Sequence, residues 1–170
     1  MGNIVRLKRA LPFAVIAISL IVCLVYLTSN PPLAAALSAS SYDNQVILVQ
    51  VGNKSRFAKI RLEEVLVNGG EVPKHVNVQV STPMKGFIVS DQAISRKKAE
   101  YDFAYLNEVA LQTETDPQQQ LNKLNHGTAN EKDIIYAITI HHYTEVQSVM
   151  IKYRYLGLKY KTLIRTETPD

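Results

Sequence analysis

The stretch that decides the fold is Ser148-Val149-Met150-Ile151-Lys152-Tyr153-Arg154-Tyr155. Val149, Ile151, Tyr153 and Tyr155 share one parity; Ser148, Met150, Lys152 and Arg154 share the other. Side chains of a strand alternate between faces, so this period describes a strand with one face buried and one in water. Leu156-Gly157 then turns the chain, and Leu158, Tyr160 and Ile164 carry an apolar face onward.

Working outward from this hairpin, Asp133 to Ile140 reads DIIYAITI, a further strand, and His141 to Glu145 turn. Earlier, Gln45 to Val51 is β-branched and strand-like, stopped by Gly52-Asn53. In Ala58 to Val67 the apolar set is Ile60, Leu62, Val65 and Val67. Its change of parity predicts a bulge near Glu63-Glu64. Asn68-Gly69-Gly70 is a turn signal. Val76, Val78 and Val80 alternate with polar residues, and Gly86 to Val89 is a weaker strand candidate. Ala93 to Leu111 follows no single period and reads as irregular. Asp116-Pro117 has the form of an N-cap followed by proline at the first helical position, Leu121 and Leu124 make a short apolar stripe, and Gly127 can cap the end. A short inserted helix over 117–125 follows. Six or seven short strands with alternation predict a mainly β chain built as an antiparallel sandwich over 43–170, and speak against a buried parallel sheet.

The N-terminus differs. Ala10 to Leu27 reads ALPFAVIAISLIVCLVYL and carries no charge. As a helix it would extend roughly 27 Å, close to a hydrocarbon core of roughly 30 Å. Arg6, Lys8 and Arg9 precede it, and the first acidic residue is Asp43. This pattern predicts a cytoplasmic tail over 1–9, a transmembrane signal anchor over 10–28, a linker over 29–42, and an extracytoplasmic C-terminal domain on a single-pass membrane protein. Ala34-Ala35-Ala36 offers a cleavage pattern, so a secreted form is the alternative. Of 19 basic residues those three precede the apolar run, leaving 16 against 15 acidic. So near-neutral a balance gives no charge argument for a nucleic-acid partner.

The layout resembles the small, signal-anchored, extracytoplasmic immunoglobulin-like proteins of Gram-positive bacteria, many of which have no assigned function. The residues that carry the resemblance are the basic-then-apolar start, Val65-Leu66-Val67-Asn68-Gly69, Asp116-Pro117, and Met150 to Gly157. It implies an immunoglobulin-like sandwich in the cell envelope and transfers no catalytic residue. The chain has no Trp, so the Cys-Trp-Cys core of antibody domains is missing.

Catalytic, cofactor and metal residues are not suggested by the sequence. Cys23 is the single cysteine and lies in the apolar run, so the β domain has no internal disulfide. His75, His126, His141 and His142 lack zinc-ligand spacing, and as neighbours on a strand His141 and His142 would face opposite ways. Glu63 and Glu64 would do the same unless a bulge intervened. The sharper feature is the last hairpin. An even-numbered loop at Leu156-Gly157 would set Arg154 opposite Lys159 and Lys152 opposite Lys161, all on one face. Like charges directly opposite destabilise a pair, so this face is either a solvated outer surface or an anion-contact patch. Partners for such a patch would be an anionic envelope polymer, a lipid surface or an acidic protein. The sequence therefore points to a non-enzymatic, membrane-anchored interaction or structural module of the envelope. The alternative is an exported enzyme or inhibitor with its site near the 93–131 insertion, which converging polar groups beside that segment would favour.

Overall fold

The computed structural model describes residues 2–89 and 102–166. The chain divides into two units, Met1–Pro31 and Pro32–Asp170.

The first unit is one helix, α1 (Gly2–Ser29). Among the described residues no helix is long and apolar enough to cross a membrane. The expectation of a transmembrane signal anchor over 10–28 is thereby corrected. Residues 2–9 belong to the same helix.

Among its described residues the second unit holds nine strands and one helix. The strands are β1 (Leu33–Ser40), β2 (Val46–Asn53), β3 (Ile60–Val67), β4 (His75–Ser81), β5 (Asp102–Ala104), β6 (Ala110–Leu111), β7 (Ile135–His141), β8 (Ser148–Tyr155) and β9 (Leu158–Arg165). Helix α2 spans Pro117–Asn125. One sheet has the order β1-β2-β7-β4-β5 and the other β6-β3-β8-β9, with every pairing antiparallel. If β1, β2, β3, β4, β7, β8 and β9 are lettered A to G, the two orders contain A-B-E-D and C-F-G, the strand order of immunoglobulin constant-type sandwiches. Strands β5 and β6 are additions at two sheet edges.

The core lies between the sheets. Ile47, Val49, Val51, Val78, Ile138 and Ile140 fill it from one side. Ile60, Leu62, Val65, Val67, Val149, Ile151, Tyr153 and Tyr155 fill it from the other. Tyr153 is fully buried, and its hydroxyl faces Thr162 and the Leu33 backbone. Burial raises the Tyr153 and Tyr136 phenols above the usual tyrosine range. The predicted bulge is present: the β3–β8 register shifts between Leu62 and Glu64, which keeps Ile60 and Leu62 on the same inner face as Val65 and Val67.

Several expectations are revised. The 29–42 linker contains β1, which pairs with β2 from Leu33↔Asn53 to Ser40↔Ile47. Its Ala/Ser composition hid it, because small side chains carry little strand propensity and the neighbour supplies the hydrogen bonds. Gly52-Asn53 does not stop β2. A Cβ at Gly52 would collide with Thr115 O and come within 2.7 Å of Pro117 Cδ, so glycine here admits the backbone of another segment. Asn53 is buried; its Nδ2 donates to Ala58 O at 2.8 Å and its Oδ1 accepts from Ser55 N at 2.9 Å. Gly86 to Val89 is not a strand. It is a loop pinned by Gln79, whose Nε2 donates to Ile88 O at 2.8 Å and whose Oε1 accepts from Ile88 N at 3.1 Å. The irregular reading of 93–111 is replaced by β5 and β6 where it is described, while 93–101 lies outside the described residues. Helix α2 matches its expected span, with the Asp116 side chain accepting from Gln118 N at 3.1 Å and Gly127 at φ +66 beyond its end.

Candidate functional site

The hairpin Leu156-Gly157 has φ of 50° and 81°, the two positive values of a two-residue turn. That turn sets the register: Arg154 opposes Lys159 and Lys152 opposes Lys161. Alternation then places Arg61, Lys152, Arg154, Lys159, Lys161 and Arg165 on the outer face of the second sheet. The bulge turns both Glu63 and Glu64 onto this face, where the sequence alone left them divided. Glu64 Oε2 lies 2.6 Å from Lys152 Nζ, and Glu63 Oε1 lies 2.9 Å from Arg154 Nε. These carboxylates relieve the repulsion between the opposed cations. Exposed pairs of this kind contribute about 0.2–1 kcal/mol each. Lys159 and Lys161 have no ion pair among the described residues, and with Glu63, Glu64, Lys152 and Tyr160 they line a shallow depression. Burial is the first cause raising the Tyr160 phenol, and nearby Tyr155 is the second.

Beside the cations lies an apolar row that the sequence reading passed over. Leu66 pairs with Met150, and Met150 with Leu163, so the three side chains cross the sheet in line. Leu163 is 54% exposed. The outer face thus carries an apolar row, a neighbouring row of Glu64, Lys152 and Lys161, and a further row of Arg61, Arg154 and Lys159.

At one end of the first sheet a second constellation forms. The β4–β7 register sets His75 directly opposite His141, with rings 6.5 Å apart and edge to face. His142 turns elsewhere: its Nε2 lies 2.9 Å from Glu71 Oε2 and its ring 6.2 Å from that of Tyr143. Lys74 Nζ stands 5.2 Å from the Tyr143 ring centroid. A cleft of about 420 Å³ is lined by Gln45, Val46, Lys74, His75, Asn77, His141, His142 and Tyr143. Three of the four histidines thus meet at one cleft, which no local spacing announced, because strand register over a long separation joins them. Among the described residues no three metal-ligating side chains converge. His126 stands apart at the end of α2, its Nδ1 2.7 Å from Asn122 O.

Beside the insertion, α2 and the first sheet enclose a groove of about 310 Å³ whose lining includes Ala36, Phe87, Leu121, Leu124 and Ile135. The helix buries Gln120, whose Nε2 donates to Glu114 O at 3.2 Å, and leaves Leu121 and Leu124 largely exposed. This groove offers apolar contact and no converging set of acid–base groups. Comparison with protein-family models, with curated proteins and with solved structures finds no match to this chain.

Proposed function

We propose that the domain is a non-enzymatic interaction module whose outer cationic sheet face docks an acidic protein surface. The observation that carries this reading is the apolar row Leu66–Met150–Leu163 on a sheet face that also holds six cations and two carboxylates. An apolar strip within a charged surround has the composition of a protein–protein interface, where arginine and methionine are enriched. An anionic polymer or lipid headgroup layer would use the charges and leave that row idle. Glu63 and Glu64 hold Arg154 and Lys152 in place, which lowers the ordering cost of docking. The unpaired Lys159 and Lys161 supply steering that salt screens over roughly 8–10 Å.

The test uses the full chain and three probes: a fluorescent peptide rich in Glu and Leu, polyglutamate, and anionic phosphatidylglycerol vesicles. The peptide is expected to bind more tightly than polyglutamate or vesicles. Lys159→Gln with Lys161→Gln should weaken it by roughly two- to thirty-fold, from about 0.2–1 kcal/mol per exposed charge pair. Leu163→Ser should weaken the peptide and leave polyglutamate unchanged. Equal binding of all three probes, with Leu163→Ser silent, would replace the protein partner by a general polyanion surface. Absence of binding to any of them would end the reading.

A further inference from the structure

We infer that the histidine-lined cleft at the end of the first sheet is a separate binding site for a small molecule bearing an oxyanion, either carboxylate or phosphate. Its lining is dominated by hydrogen-bond donors. Lys74, His75, His141, His142 and Tyr143 contribute nitrogen and hydroxyl groups, Gln45 and Asn77 add carboxamides, and Val46 is the one apolar side chain. No lining residue is a carboxylate. The nearby carboxylate, Glu71, is already engaged by His142 Nε2 at 2.9 Å. The other ring nitrogen of His142, Nδ1, is buried without a hydrogen-bond partner among the described residues; with Nε2–H given to Glu71 it is an acceptor, and it gains from a ligand hydroxyl such as the P–OH of hydrogen phosphate or the hydroxyl of a hydroxy acid.

Geometry supports a pocket over a surface accident. His75 and His141 are fixed in register on paired strands, and His142 is tied down by its own backbone, whose N–H donates to Gln45 O at 2.9 Å. Lys74 is held over the Tyr143 ring, which places a charge in the lining of the cleft at little further entropic cost. A volume of about 420 Å³ lies within the roughly 300–1,000 Å³ of small-molecule sites and is too small for a macromolecular partner. A two-histidine metal site is a poorer account, because a lysine ammonium repels a cation and no third ligand converges.

The test is titration of the full chain with inorganic phosphate and with citrate, followed by NMR of the histidine and tyrosine side chains. Saturable shifts are expected at His75, His142 and Tyr143 with at least one of the two anions; which one saturates distinguishes a phosphoryl from a carboxylate ligand. Lys74→Gln and His75→Gln, both at exposed positions, should each weaken binding about tenfold, as expected for the loss of a charge-assisted or ring N–H bond. Lys159→Gln with Lys161→Gln, on the other sheet, should leave the affinity unchanged, which separates this site from the proposed docking face. Non-saturating shifts with both anions, or an affinity indifferent to Lys74→Gln and His75→Gln, would overturn the assignment.

Discussion

In β7 every side chain from Ile135 to His141 is buried, whereas in β8 burial alternates residue by residue. Both are central strands of their sheets and both alternate in sequence, so the difference lies in what covers them. The outer face of β8 meets water and carries Met150, Lys152 and Arg154. The outer face of β7 carries Ala137 and Thr139, and neighbouring segments close over the sheet around it. Gln79 donates to Thr139 Oγ1 at 2.6 Å while holding the Ile88 backbone, and Thr115 and Pro117 press against Gly52. Small or hydroxylated outward residues thus mark a face built to receive backbone, and long charged ones mark a face left to solvent.

One carboxylate on each face separates the two environments. Ala137→Asp buries an unpaired charge at a site with no exposure and no room. It should cost more than about 4 kcal/mol, enough to unfold a domain of ordinary stability. Met150→Asp occupies the equivalent outward parity on the second sheet and should cost about 1 kcal/mol or less. Urea unfolding midpoints decide it, and similar losses at both positions would mean the two faces are not differently covered.

Gly52→Ala probes the covered face at a second point. Its Cβ would meet Thr115 O and Pro117 Cδ, parts of a segment tied in turn to Asn53, since Asn53 N donates to Thr115 Oγ1 at 3.0 Å. Overpacking of this kind costs about 1–3 kcal/mol. Thermal unfolding should register that loss, and a neutral result would show that the 112–117 segment yields.

These particulars explain what was legible in the sequence. The β8–β9 hairpin, the bulge at Glu63-Glu64 and the capped helix after Asp116 each write their geometry into neighbouring residues, through parity or a cap. Strand β1 does not, because Ala and Ser take their conformation from β2. The apolar run of the N-terminus has the composition of a span, yet among the described residues no helix meets the length and apolarity required. Of the site, Lys152, Arg154, Lys159 and Lys161 were found by parity, and their partial neutralisation by Glu63 and Glu64 was missed because it requires the bulge to be resolved to one residue. The histidine cleft was invisible, since β4–β7 register alone joins His75 to His141.

The smallest effect concerns the tip of the exposed hairpin. Leu156 occupies φ +50°, a region that leucine enters at a cost of roughly 1–2 kcal/mol and that asparagine tolerates. It is 54% exposed, so core packing does not repay this strain. Strained residues persist where something else holds or uses them. In this domain the candidate is the outer face of the second sheet, because the turn at Leu156 joins the two strands that carry Arg154 and Lys159. Leu156→Asn should therefore raise stability by about 0.5–1 kcal/mol while preserving the register, and lower the affinity for the Glu/Leu-rich peptide. A stability gain without loss of binding would make the leucine incidental to docking. No gain in stability would show that the turn carries no strain, and the contrast between a face shaped by packing and one shaped by contact would then rest on the charged rows alone.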